Sequence, residues 1–97
     1  MTSPESNLLE SQLLNEYIVE FQQWLCKHFS RDDLKVAVFK TGLGLQLEDM
    51  VSVDTNDPIL YINVIYYLHR REKLDKLLNQ ILVDWENCHI ARKLLKI

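Results

Sequence analysis

The segment Thr55-Asn56-Asp57-Pro58-Ile59-Leu60-Tyr61-Ile62-Asn63-Val64-Ile65-Tyr66-Tyr67-Leu68-His69-Arg70-Arg71 opens on a helix-start signal and then stays almost wholly apolar for nearly three turns. Thr55-Asn56-Asp57 supplies N-cap chemistry. Pro58 is expected at the first helical position, where its missing N–H costs nothing. Ile59, Leu60, Tyr61, Ile62, Val64, Ile65 and Leu68 surround most of the axis, which predicts a central helix touched on several sides and ending near Arg71. Ten apolar-rich residues fall well short of the roughly twenty that cross a bilayer. The segment is therefore expected in a protein core, with the rest of the chain packed around it.

Outward from that helix the chain offers more helices and little else. On the carboxyl side, Glu72 or Lys73 marks a tight corner. Leu74, Leu77, Leu78, Ile81, Leu82 and Trp85 then repeat at helical spacing, and after Glu86-Asn87 a short stripe of Ile90, Ala91, Leu94 and Leu95 runs to Ile97. On the amino side, Leu45, Leu47, Met50 and Val51 fit a single helical turn, with Glu48 and Asp49 facing outward. Before it, Ser30 is placed to accept from the Asp33 amide while Asp33 reaches back, a capping box that starts a helix carrying Leu34, Ala37 and Val38 inward. Gly42 and Gly44 supply the positive-φ positions that end it near Thr41. From Ser6 to Phe29, Leu9, Leu13, Tyr17, Phe21 and Trp24 form an apolar stripe widened by Leu8, Leu14, Ile18 and Leu25, read as one long helix or two joined ones.

Ninety-seven residues, 47% of them apolar and with only two Gly and two Pro, predict one domain spanning residues 1–97 and an all-α fold, a compact six-helix antiparallel bundle. Eleven basic against fourteen acidic residues give a net charge of −3, which argues against nucleic acid as a partner. Met1-Thr2-Ser3-Pro4-Glu5 has no secretory character, so a cytoplasmic location is expected, with Cys26 and Cys88 as unpaired packing residues. Their neighbours His28 and His89 do not make a zinc site, because residues one or two apart on a helix diverge. Gly42-Leu43-Gly44 lacks the strand and the Lys-Ser/Thr of a phosphate loop. Neither a cofactor nor catalysis is expected.

The run Phe29-Ser30-Arg31-Asp32-Asp33-Leu34, then Leu43-Gly44 with Leu47-Glu48-Asp49-Met50, then Tyr67 with Arg70-Arg71 and Leu74-Asp75-Lys76-Leu77-Leu78, resembles the effector-associated domains of bacterial conflict systems. These are death-like, caspase-recruitment-like modules, and the resemblance covers residues 21 to about 82. It departs at Glu72, where such domains usually carry glycine, and at Val83-Asp84-Trp85-Glu86-Asn87-Cys88, where they often close with an Asn-Pro-Gly-Asn type segment. The resemblance implies a six-helix death fold. It also implies homotypic association that joins a sensor or adaptor to an effector such as a protease, a nucleotide-binding switch protein or a pore former. Other readings of the same residues are a small acidic helical regulator of an unrelated partner, or a helical DNA reader.

Charge alternates along the chain: residues 1–20 carry −4, 21–40 +2, 41–60 −4, 61–80 +2 and 81–97 +1. Singly, such charges are ordinary solvated groups worth little. As sets, Asp32, Asp33, Glu48 and Asp49 form an acidic end, and Arg70, Arg71, Lys73 and Lys76 a basic corner. Two copies are expected to meet head to tail through them, a contact that extends into an oligomer or filament. Tyr66, Tyr67 and Trp85 are candidate exposed anchors; Tyr67 is assigned to structure and Tyr66 to the surface.

Overall fold

The computed structural model describes residues 4–44, 46–52 and 54–96, with side chains from Gln12 onward. Residues 1–3, Leu45, Ile97 and the side chains of Leu8 and Leu9, which the sequence reading used, lie outside the described residues. Among those described there are six helices and no strand: α1 (Pro4–His28), α2 (Arg31–Lys40), α3 (Leu47–Met50), α4 (Asp57–Arg70), α5 (Leu74–Asp84) and α6 (His89–Leu95). The all-α bundle expected from composition and periodicity is the observed fold.

The amino-terminal stripe is one continuous helix, not two. Its 25 residues rise about 37 Å, which accounts for most of the molecule's 43 Å long axis. Ile18, Phe21 and Leu25 are completely buried, with Leu14, Tyr17 and Trp24 packed beside them. Leu13 falls off this face and is exposed. So does Cys26, one residue and 100° beyond Leu25, which corrects its assignment as a packing residue. Cys88 is buried, and burial raises its thiol above the ordinary value.

The start and stop signals act as the sequence indicates. At α2, Ser30 Oγ accepts from the Asp33 N–H at 3.2 Å and Asp33 Oδ2 accepts from the Ser30 N–H at 3.0 Å. Beyond the Thr41 cap, Gly42 and Gly44 take φ of 76° and 71°. At α4, Asn56 Oδ1 accepts from the Ile59 N–H at 3.2 Å. Asn56 is the cap, so Pro58 sits at the second helical position rather than the first, where its N–H would equally have lacked a helical partner. The Arg31 guanidinium bonds both the Asp57 carboxylate and the Thr55 carbonyl, tying the start of α2 to the start of α4. Leu60, Tyr61, Val64, Ile65 and Leu68 are buried on α4, whereas Ile59 is exposed in its first turn.

The corner after α4 closes as a Schellman motif. The Lys73 N–H reaches the Leu68 carbonyl at 2.8 Å and the Glu72 N–H reaches the His69 carbonyl at 3.0 Å. This geometry requires a left-handed residue, and Glu72 supplies it with φ of 58°. A side chain there costs roughly 1–2 kcal/mol, against which glycine loses about 0.5–1 kcal/mol of chain entropy. Glu72→Gly is therefore expected to stabilise the domain by about 0.5–1 kcal/mol, raising Tm by several degrees in a thermal melt. An unchanged or lowered Tm would show that the corner is not strained.

The helices pair in a nested order: α1 with α6, α2 with α5, and α3 with α4. α4 also packs against α1 and α5, so it has neighbours on several sides, as its sequence predicts. After α5, the Arg92 guanidinium donates twice to the Glu86 carbonyl, at 2.8 and 3.1 Å, and so fixes the turn into α6. Among the described residues the core contains no buried polar or charged side chain.

Candidate interaction surfaces

The start of α2, with Asp32 and Asp33, and the basic corner lie at opposite ends of α4. Arg31 holds the first turn of α2 against the first turn of α4, while the basic residues surround the last turn of α4 and the first of α5. The fourteen residues of α4 set a separation of about 21 Å.

At the acidic end the four carboxylates do different things. Asp33 is held in the α2 capping box, and Asp49 Oδ2 accepts from the Gln46 N–H at 3.2 Å, starting α3. Glu48 pairs with Lys35 at 3.2 Å, which joins α2 to α3. A hydrogen bond from its own backbone N–H, and then the Lys35 ammonium, hold the Glu48 carboxyl below its ordinary value. Asp32 is exposed and makes no hydrogen bond or ion pair among the described residues.

The basic corner is less committed. Arg70, Lys73 and Lys76 are exposed and without ion pairs among the described residues. Arg71 lies over the Tyr67 ring, 4.2 Å from its centroid, an arrangement that stiffens the end of α4. His69 is exposed beside them.

The aromatic candidates are redistributed. Tyr66 is half-buried, and its hydroxyl donates to Asn15 Oδ1 at 3.1 Å, bracing α4 against α1; it is not the free surface ring expected of it. Tyr67 is half-buried under Arg71. Trp85, 41% exposed, packs edge-on to Trp24 at 5.6 Å and lies 5.4 Å from the His28 ring, which itself stacks within 4.8 Å of Trp24. His28 is thus part of an aromatic cluster rather than a partner of Cys26. Among the described residues no three His, Cys, Asp or Glu side chains converge as metal ligands.

Among the described residues, the most exposed large apolar side chain is one that the inward-facing positions of α2 did not include. Phe39 is 82% exposed, and Val36, one turn earlier, is 51% exposed. Leu34, Ala37 and Val38 face inward, so the 100° step per residue turns positions 36 and 39 outward. That spacing was the available signal. Between this ridge and α3 runs a groove of about 370 Å³ lined by Lys35, Val36, Phe39, Gln46, Leu47 and Glu48.

No helix among the described residues is long and apolar enough to cross a membrane. No protein-family model, no curated protein and no solved structure matches the chain.

Proposed function

We propose that the chain is a non-catalytic interaction module that binds same-type helical domains, in further copies of itself or in an effector protein. In the setting that its resemblance implies, it couples a sensor or adaptor to a protease, a nucleotide-binding switch protein or a pore former in cytoplasmic bacterial defence. No cofactor takes part. The observation that carries this reading is a basic corner whose Arg70, Lys73 and Lys76 make no ion pair among the described residues, with an acidic end about 21 Å away along α4. Opposite poles on one body attract between copies and not within one, and such a contact propagates head to tail because it does not close on itself. The small apolar core, free of buried polar side chains among the described residues, supports a role for the outer surface.

Arg70→Glu combined with Lys73→Glu tests the reading. Both side chains are exposed, and Arg71 is left on Tyr67, so helicity and Tm should stay near those of the parent. In sedimentation velocity the parent should form species larger than a dimer as concentration rises, and the double variant should not. Raised salt should weaken the parent's assembly in the same direction. Assembly of the double variant equal to the parent's would refute the head-to-tail assignment.

A further inference from the structure

The geometry points to a second, two-fold contact, in which the Val36–Phe39 ridge of α2 packs antiparallel against the same ridge of another copy. This contact uses α2 and leaves the basic corner of Arg70 and Lys73 free. A phenylalanine 82% exposed beside a half-exposed valine presents apolar area that the domain itself does not cover. Next to it lies a groove floored by buried Leu47, with Phe39 and Val36 on one wall and Gln46 and Glu48 on the other. The two charged side chains that line this groove, Lys35 and Glu48, pair with each other.

The occupant is a second copy because α2 is complementary to itself when reversed. Its first turn carries Asp32 and Asp33 and its last turn Lys40. Crossing two α2 helices antiparallel sets each acidic first turn beside the other's Lys40 and opposes the two helix dipoles. The Lys40 ammonium is available for this, since its bridge to Asp84 is exposed on both sides and long, at 3.8 Å. With Val36 near the two-fold axis, each Phe39 ring enters the other copy's groove, an isologous arrangement in which every contact occurs twice. A helix of ten residues covers far less than the roughly 800 Å² per partner of a stable dimer, so the pair is weak and concentration-dependent. Asp32 and Glu48 border the ridge, so the two-fold pair also covers the acidic end and competes with head-to-tail growth.

The test is made in the Arg70→Glu/Lys73→Glu chain, where the head-to-tail contact is disabled and only the two-fold one remains. Sedimentation equilibrium should show a monomer–dimer equilibrium. Adding Phe39→Ser should weaken it at least tenfold with no loss of helicity. Val36→Cys in a Cys26→Ser background should cross-link to itself under mild oxidation, because the two positions 36 adjoin across the axis. A monomer at every concentration, a dimer indifferent to Phe39→Ser, or no cross-link at position 36 would each overturn the two-fold contact. None of these results would touch the head-to-tail reading, which stands or falls on the Arg70 and Lys73 charges alone.

Discussion

Phe21→Ala is expected to remove about 3–5 kcal/mol of stability, the cost of a cavity that a rigid helical core does not fill by relaxation. The Phe21 side chain is fully buried between Ile18 and Leu25, on the face by which α1 packs against α4 and α6. Its ring lies 6.3 Å from Trp24 at an interplanar angle of 18°, so truncation also removes one side of the aromatic cluster. Domains of this size have only about 5–15 kcal/mol in total, and the urea midpoint should drop by a large fraction with little change in slope. Phe39→Ala is the control on the same residue type. With the ring mostly in solvent, its effect on stability should stay within about 0.5 kcal/mol. Equal midpoints for Phe21→Ala and the parent would mean that α1 is not docked on the bundle through this face.

The contrast between these two phenylalanines shows what the sequence makes legible. Periodicity locates Phe21 inside because it belongs to a run of apolar positions at spacing three and four that extends over several turns. It locates Phe39 outside by the same rule, since Leu34, Ala37 and Val38 already occupy the inner face of α2. Helix starts were legible where a side chain makes the cap, at Ser30 and Asn56, because the chemistry is local. The corner at Glu72 was legible only as a break. The left-handed glutamate belongs to the Schellman bonds that end α4, and the conformational preference of glutamate does not announce it.

The surface is harder to read than the core for a related reason. A row of carboxylates in sequence looks like one acidic patch, yet Asp33 and Asp49 hold helix starts and Glu48 is neutralised by Lys35. Of the four, Asp32 is the one with no hydrogen bond or ion pair among the described residues. Capping partners sit three residues away and can be inferred from sequence, whereas the Lys35–Glu48 pair depends on how α3 returns to α2 and cannot. Tyr66 follows the same logic. Its bond to Asn15 spans 51 positions, and without it the ring reads as a free anchor. Arg70, Lys73 and Lys76 are exposed and have no acidic neighbour close enough to pair with among the described residues, so no such long-range partner alters how they read.

Tyr61 carries the other large expected effect, and two substitutions separate its two contributions. The ring is almost fully buried on α4, and its hydroxyl donates to the Phe29 carbonyl at 3.0 Å, in the two-residue link between α1 and α2. Tyr61→Ala should cost about 3–5 kcal/mol through the cavity alone. Tyr61→Phe keeps the ring and removes the hydrogen bond, which should cost about 1 kcal/mol. The phenol also gives a pH signature. Burial, and then the nearby Asp57 carboxylate, raise its pKa above the ordinary value of 10.0. Just above that pH the unfolded chain has released a proton that the folded chain still holds, so stability falls as pH rises. Tyr61→Phe has no such proton to hold. Cys26 and Cys88 are also raised above 9.0, with the same sign, but they are common to both proteins and cancel in the difference. The gap in unfolding free energy between parent and Tyr61→Phe should therefore narrow as urea titrations are carried from neutral pH past about 10. A gap that stayed constant across that range would place the hydroxyl in solvent and break the assigned link between α4 and the α1–α2 junction.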